Sequence, residues 1–197
     1  PDDEPPSISA NLTCSNWGNN GWCTGSLSLD LAASDPQGAA LIISGTIGAN
    51  NFACPSGATS CSIPLSSEGS YAITYRVDSA TGLSASGSTS YQLDLSTPDL
   101  STSLSGVPGT NNWYTSDVTL DITTSDAVSE ISSLTASANG GADSVVSGPL
   151  NFSDGIYTVL LTATDNAGNV TQDTQTIQVD TITPSLSFST NGTSGTN

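Results

Sequence analysis

The fold is decided by residues 154–169, which read DGIYTVLLTATDNAGN. Within this stretch every second residue belongs to one apolar series, namely Tyr157, Val159, Leu161 and Ala163. The residues between them are mostly threonines, which favour extended backbone. A period of two in such a composition predicts a β-strand that buries one face.

The two ends of this strand carry turn signals. Gly155 permits a backbone conformation that other residues resist, so the ring of Tyr157 can enter the core while its hydroxyl bonds to nearby main chain. This pattern is the tyrosine corner of Greek-key sandwiches, at the start of the penultimate strand. Residues 165–169 supply turn formers, with Gly168 or Asn169 suited to positive φ. The alternation in residues 176–180 then predicts the closing strand.

The same strand occurs a second time upstream, where residues 68–82 read EGSYAITYRVDSATG. The prolines at 6, 98 and 184 mark an internal repeat of domain size. We therefore predict an acidic, Pro-rich linker at 1–6, one domain at 7–97, a second at 98–183 and the start of a third at 184–197. The chain is interpreted as a window from a longer array.

Composition agrees with an all-β class. Ser, Thr, Gly and Asn are plentiful, methionine is absent, and aromatic residues make up 6% of the 197 residues. Turn formers and β-formers dominate in this way in small sandwiches. The hydrophobic fraction of 35% is patterned, which distinguishes the chain from a disordered one.

The charge of the chain excludes several partners. Its net charge is −17, and Arg76 is the one basic side chain. Nucleic acid is therefore excluded as a partner, because nothing can neutralise the phosphates. Anionic membrane surfaces are disfavoured for the same reason, and no direct membrane insertion is expected. Divalent cations would relieve the self-repulsion, although a solubilising surface explains the charge equally well.

The four cysteines all lie in the first half of the chain. Three pairings are possible. We predict the local pairs Cys14–Cys23 and Cys54–Cys61, because each would staple a hairpin or loop. Histidine is absent and the spacings do not match zinc sites. Disulfides indicate an oxidising compartment, so we expect an extracellular, cell-surface or secreted protein.

No catalytic residues are predicted. Without His or Lys the chain can build neither a Ser-His-Asp triad nor a Ser-Lys dyad. Carboxylate pairs of the glycosidase type remain conceivable, but the aspartates fall in turns or at outward strand positions such as Asp30 and Asp121. We therefore expect a protein that is not an enzyme.

Calcium is the candidate cofactor. Carboxylate and main-chain oxygens at turns and domain junctions are suitable ligands for this hard cation. The alternative is that the same residues are ordinary turn and cap residues. The candidate ligands are Asp94, Asp99, Asp126, Asp165 and Asp180. Bound calcium would stiffen the junctions between domains.

Other candidate sites concern glycans. Four Asn-x-Ser/Thr sequons could accept N-glycans, a number that chance also predicts in so Ser- and Thr-rich a chain; they begin at Asn11, Asn151, Asn169 and Asn191. Trp22 and Trp113 occupy matching repeat positions, which favours packing. Trp17 occurs in the first repeat alone and is the best candidate for an exposed ligand contact.

The motifs together resemble bacterial Ig-like repeats. The resemblance rests on a Trp before a Val-x-Leu strand (Trp113, then residues 118–120), the Gly-x-Tyr corner, and DNAGN before a closing VDT. The second repeat matches well, whereas the first replaces the Asn-rich turn and adds disulfides. The resemblance implies tandem Ig-like Greek-key β-sandwiches, which occur in large extracellular surface proteins, adhesins and secreted enzymes.

The function expected from these features is structural, that of a spacer or scaffold in a surface stalk, fibre or filament. Its partners would be neighbouring Ig-like repeats, with glycans or cell-surface proteins as further candidates. The alternatives are a calcium-dependent adhesin or carbohydrate-binding module, and an accessory domain pair of a secreted enzyme.

Overall fold

A computed structural model of the protein describes residues 3–189, so the sequon at Asn191 and the last residues of the predicted third repeat lie outside the described residues. The described residues form strands and one short 3-10 helix, Asn19–Gly21. The strands are β1 (Ser7–Cys14), β2 (Leu27–Ser34), β3 (Leu41–Ile47), β4 (Asn50–Ala53), β5 (Ser60–Leu65), β6 (Gly69–Ser79), β7 (Ser84–Leu93), β8 (Asp99–Ser105), β9 (Trp113–Tyr114), β10 (Val118–Ser125), β11 (Ile131–Ala138), β12 (Ser144–Val145), β13 (Leu150–Phe152), β14 (Gly155–Asp165) and β15 (Val170–Val179).

The first seven strands form two sheets, in the orders β1-β2-β5 and β4-β3-β6-β7. Leu29 and Leu31 of β2 belong to the same buried cluster as Ile43 of β3 and Ile73 of β6. The inward-facing residues of both sheets therefore share one core, which is the arrangement of a β-sandwich.

The remaining strands repeat this arrangement, with sheets in the orders β13-β10-β8 and β12-β11-β14-β15-β9. Leu120 of β10 and Leu161 of β14 are fully buried. The ring of Phe152 on β13 lies 4.9 Å from the ring of Tyr157 on β14, so the two sheets face each other. The predicted all-β class with a β-sandwich architecture is confirmed.

The chain divides into two compact units that are discontinuous in sequence. The first comprises the described residues up to Leu100 together with Thr124–Thr135 and Thr162–Gln172. The second comprises Ser101–Thr123, Ala136–Leu161 and the described residues from Asp173 onward. The predicted domain boundaries, at 6/7, 97/98 and 183/184, stay predictions.

The tyrosine corner forms as the sequence indicates. Gly155 has φ +148° and Gly69 has φ +116°, both in the region that favours glycine. The hydroxyl of Tyr157 donates to the carbonyl of Asp154 at 3.4 Å. In the first sandwich the main-chain bond comes from Tyr91, which stacks on Tyr71 and donates to the carbonyl of Ser67 at 3.2 Å.

Both local disulfides form, and the predicted pairing is confirmed. Cys14 ends β1 and is bonded to the fully buried Cys23, so this bridge closes the loop that contains Trp17. Cys54 follows β4 and is bonded to Cys61 on β5. Because β4 and β5 belong to different sheets, the second bridge closes the connection between the two sheets of this sandwich.

The closing strand is longer than predicted. The sequence pattern places its start at residue 176, whereas β15 begins at Val170, directly after the turn at residues 165–169. Residues 171–175 are polar, and Val170 is exposed, so the strand character of this part comes from backbone pairing and leaves little hydrophobic signal. The short strands β4, β9, β12 and β13 escape sequence patterning because two to four residues cannot show a period.

Among the described residues, no helix has the length and apolar character needed to cross a membrane.

Candidate metal centre

Three of the five predicted ligands come together. Asp94, Asp126 and Asp165 each place one carboxylate oxygen within 4.8 Å of the other two. Asp94 directly follows β7, Asp126 directly follows β10, and Asp165 is the last residue of β14. All three belong to the first compact unit. The cluster therefore joins three segments that are distant in sequence.

Asp165 organises the turn that follows β14. Strand alternation continues from Ala163 and turns the Asp165 side chain to the buried face, where it is fully buried. One carboxylate oxygen, Oδ1, accepts the N–H groups of Gly168 at 2.6 Å and Asn169 at 2.8 Å. The other, Oδ2, accepts the side-chain amide of Asn169 at 2.9 Å. Gly168 adopts φ +101°, which permits this tight arrangement.

Asp126 organises the loop after β10 in a similar way. Its Oδ1 accepts three successive backbone N–H groups, from Val128 at 3.0 Å, Ser129 at 2.8 Å and Glu130 at 3.1 Å. Such bonds are common for aspartate in turns and do not by themselves indicate a ligand. They do hold the carboxylate in place.

Asp94 provides the observation that ordinary turn chemistry does not explain. Its side chain is fully buried. Oδ1 accepts the N–H of Ser96 at 3.0 Å, and the hydroxyl of Ser129 favours the charged form of this carboxylate and so lowers its pKa. The other oxygen, Oδ2, is buried and has no hydrogen-bond partner within residues 3–189. A buried carboxylate oxygen without a donor carries a large desolvation cost, so this atom requires a cation or a proton.

The electrostatics of the cluster also indicate that it requires a cation or a proton. Burial raises the pKa of Asp94, and the negative charges of Asp126 and Asp165 raise it further, against the opposing hydrogen bonds. The one basic side chain of the sequence, Arg76, forms an ion pair with Asp78 at 2.6 Å on an exposed surface. No side chain of this protein is therefore available to neutralise the cluster.

The donor set fits calcium. Calcium takes carboxylate and carbonyl oxygens at about 2.3–2.6 Å, so two ligands on opposite sides of one ion lie about 4.8 Å apart. The three carboxylates satisfy this limit. The set contains no nitrogen or sulfur ligand, which disfavours zinc. Asp94, Asp126 and Asp165 would hold the ion, with water completing its coordination shell.

A neighbouring loop supports the turn that carries Asp165. In the first compact unit, the N–H of Asn19 donates to the carbonyl of Ala167 at 2.7 Å, and the Asn20 side chain donates to the carbonyl of Asn166 at 3.1 Å. A side chain at Gly18 would collide with the carbonyl of Ala167. The loop closed by Cys14–Cys23 therefore packs directly against the metal-site turn.

The other two predicted ligands lie apart from the cluster. Asp99 is exposed at the start of β8, where its carbonyl accepts the hydroxyl of Thr124 at 2.9 Å. Asp180 is exposed after β15, and its Oδ1 accepts the N–H of Ile182 at 3.0 Å. Asp180 therefore acts as a turn residue, whereas Asp99 is an exposed residue at the start of a strand.

The sequons differ in their surroundings. Asn11 and Asn151 are exposed on β1 and β13. Asn169 is half-buried, and its amide nitrogen donates both to Asp165 and to the carbonyl of Asp94, at 3.3 Å. A glycan on that nitrogen would replace one of these two N–H donors, so it competes with the metal-site turn.

Trp17 is exposed as the sequence indicates, with 54% of its surface accessible, whereas Trp22 is buried.

Sequence reasoning missed Ser129 and Asn169 as supports of the carboxylates. The contact between Asn169 and Asp165 could have been predicted, since Asn169 lies four residues after Asp165 within a turn motif. Ser129 offered no such signal, because its hydroxyl reaches Asp94 through tertiary folding alone.

The sequence matches no protein-family model and no curated protein. Solved structures with a similar arrangement of strands include the fibronectin(III)-like modules of Clostridium thermocellum CbhA, with 12% identity, a TM-score of 0.38, and coverage of 88% of this chain and 94% of that one. A 1.5-MDa bacterial ice-binding adhesin is similar at 14% identity and TM-score 0.37, over 90% of this chain and 66% of that one. The Bacteroides ovatus mixed-linkage glucan protein SGBP-B is similar at 12% identity and TM-score 0.34, over 91% and 71%.

Proposed function

We propose that this chain is a calcium-stabilised structural module of an extracellular protein, serving as a spacer or scaffold and carrying no catalytic activity. The observation that carries the proposal is the Asp94–Asp126–Asp165 cluster, in which Asp94 and Asp165 are buried and Oδ2 of Asp94 has no hydrogen-bond partner among residues 3–189. One ion there would tie the segment after β7 to the loop after β10 and the turn after β14.

Two further features support this role. The disulfides fit an oxidising compartment outside the cytoplasm. Extracellular calcium is abundant enough to occupy sites of modest affinity, which is the regime expected for modules with few protein ligands. Neighbouring repeats of the same chain or fibre are the proposed partners.

Calcium is expected to raise the thermal stability of the chain. If the ion is present at a hundred times its dissociation constant, binding adds about 2.7 kcal/mol to the free energy of unfolding. For a chain of this size the melting temperature should rise by roughly 5–10 °C. Differential scanning calorimetry in calcium and in excess chelator measures this rise, with sodium chloride at equal ionic strength as the control for charge screening.

The variant Asp94→Asn tests whether the calcium response depends on this site or on the net charge of the protein. It should abolish the calcium-dependent rise and, in chelator, be more stable than the unaltered protein, because it removes a buried charge that has no donor. Asp121→Asn removes an equal charge from an exposed position on β10 and should keep the calcium response. An equal response in all three proteins, or none in the unaltered one, would contradict the proposed site.

The metal-free protein should show a specific pH dependence at Asp94. Burial raises its folded-state pKa above the ordinary value of 3.8, so the folded state takes up a proton first as the pH falls. Stability from this group therefore rises as the pH falls through the raised pKa towards 3.8, and it is lost as the pH rises. The stability advantage of Asp94→Asn should accordingly be largest at neutral pH and shrink on acidification.

Urea unfolding of both proteins in metal-depleted buffer between pH 7 and pH 4 measures this difference. The difference in stability between the two proteins cancels the pH-dependent contributions of all groups that they share. These include Asp30, whose pKa is lowered by the hydroxyls of Ser62 and Thr13, and Asp78, whose pKa is lowered by Arg76. A stability difference that stays constant over this range would show that Asp94 has an ordinary pKa.

A further inference from the structure

A cleft of about 450 Å³ lies beside the disulfide-closed loop of the first sandwich. Trp17 of that loop, Leu12 of β1, and Tyr71 and Tyr91 of β6 and β7 line it. All of these residues belong to the first compact unit and none takes part in the carboxylate cluster. The volume is within the range of small-molecule sites.

The aromatic part of the cleft is held in place before any ligand arrives. The rings of Tyr71 and Tyr91 stack with centroids 5.4 Å apart. Tyr91 is almost fully buried, and its hydroxyl is committed to the carbonyl of Ser67. Trp17 forms a β-bridge with Cys23, whose disulfide to Cys14 closes the loop. A binding surface fixed in this way loses little conformational entropy on binding.

Trp17 is the exposed member of this group. More than half of its surface is accessible, although a large aromatic side chain gains free energy from burial. The structure therefore presents an indole at the rim of a cleft whose inner wall is already aromatic.

The polar part of the cleft is uncharged. Ser70, Ser90 and Gln92 line it, and the Gln92 amide donates to the Ser70 hydroxyl at 3.3 Å. The amide and the hydroxyls supply both donors and acceptors. Among residues 3–189, no charged side chain lines the cleft, in a chain whose net charge is −17. A cationic ligand would find no carboxylate there, and an anionic ligand would be repelled by the protein as a whole.

We propose that this cleft binds a neutral saccharide. A pyranose ring has an apolar C–H face, which would stack on Trp17, and a rim of hydroxyl groups, which would exchange hydrogen bonds with Gln92 and Ser70. An uncharged site that pairs an aromatic surface with amide and hydroxyl groups matches both features. The proposal is independent of calcium, because the cleft and the carboxylate cluster share no residue.

An array of neutral and acidic glycans, followed by titration calorimetry with the best neutral oligosaccharide, tests the proposal on the full chain. Trp17→Ala should weaken binding at least about tenfold, since the indole provides the exposed stacking surface. Trp17→Tyr keeps an aromatic face and should retain part of the affinity. Ile42→Ala, which truncates another exposed apolar side chain outside the cleft, is the matched control and should bind as the unaltered protein does.

Three results would overturn the proposal. The first is that the unaltered protein binds no neutral saccharide on the array. The second is that Trp17→Ala binds as tightly as the Ile42→Ala control. The third is that a proline-rich peptide, the other common ligand of uncharged aromatic clefts, binds with the same Trp17 dependence while saccharides do not. Melting curves of each variant establish that a loss of binding is not a loss of folding.

Discussion

Asp165→Ala is expected to lower the free energy of unfolding by about 3–5 kcal/mol, because three hydrogen bonds to a charged group, at about 1.5–3 kcal/mol each, are lost while the repulsion between Asp165 and Asp94 is removed. The substitution leaves the N–H groups of Gly168 and Asn169 and the side-chain amide of Asn169 without their acceptor. Asn169 would then also lose the orientation in which it donates to Asp94. Chemical denaturation in chelator measures the effect in the absence of metal.

Two controls make this prediction specific. Asp165→Asn keeps an acceptor oxygen and should destabilise less than Asp165→Ala. Asp121→Ala removes an exposed aspartate and should change stability by less than about 0.5 kcal/mol. If Asp165→Ala were as mild as the exposed control, the carboxylate would not organise the turn. The contrast with Asp94→Asn, which should stabilise the metal-free protein, shows that two acidic residues of one cluster have opposite structural roles.

Removing the Cys14–Cys23 disulfide by the double substitution Cys14→Ala and Cys23→Ala is expected to cost about 2–3 kcal/mol, from the loop-closure entropy of a short loop. The effect should extend to both candidate sites. The loop holds Trp17 at the rim of the cleft, and Asn19 of the same loop donates to the turn at Ala167. We therefore expect weaker saccharide binding and weaker calcium binding in addition to lower stability.

The second disulfide provides the matched control. Cys54 and Cys61 close a loop of similar length, so their removal should cost about the same free energy. Their loop contributes no residue to the cleft or to the carboxylate cluster. Calorimetric titrations should therefore show both ligands bound normally. Equal losses of binding in the two double variants would mean that the loss reflects general destabilisation, and the positioning role of the Cys14–Cys23 loop would be wrong.

The internal repeat that the sequence predicts is visible in corresponding hydrogen bonds. Asp165 N donates to the carbonyl of Asn169 at 3.1 Å, and the equivalent Ser79 N donates to the carbonyl of Leu83 at 2.8 Å. The first sandwich thus closes the same turn with a serine where the second has Asp165. In the second sandwich the Asp165 carboxylate adds three further hydrogen bonds within this turn, from Gly168 and Asn169.

A second backbone hydrogen bond recurs in both sandwiches, directly after the closing strand of each. The N–H of Asp94 donates to the carbonyl of Cys23 at 3.0 Å, and the N–H of Asp180 donates to the carbonyl of Tyr114 at 2.9 Å. The sequence repeats at both ends of this hydrogen bond, around Trp22 and Trp113 and again where Leu93-Asp94 corresponds to Val179-Asp180. The geometry is shared because the last residue of the closing strand, Leu93 or Val179, pairs in parallel with the residue after Trp22 or Trp113.

The sequence by itself determined the features that depend on local periodicity. Alternation in β14 and β6 gives the strand type and the buried face, the Gly-x-Tyr pattern gives the corner, and the short cysteine spacings give the disulfides. These properties are local because the backbone alternates with a period of two and because a short loop limits where a cysteine can reach.

Tertiary structure alone decided which acidic residues meet. Sequence patterning identified five candidate aspartates without distinguishing among them. Folding brought three of them together and left Asp99 exposed at the start of β8 and Asp180 exposed after β15. It likewise placed Tyr91 and Gln92 beside Trp17. The physical reason is that Coulomb interaction and desolvation depend on distances through space, and strand order sets these distances between residues that no local pattern connects.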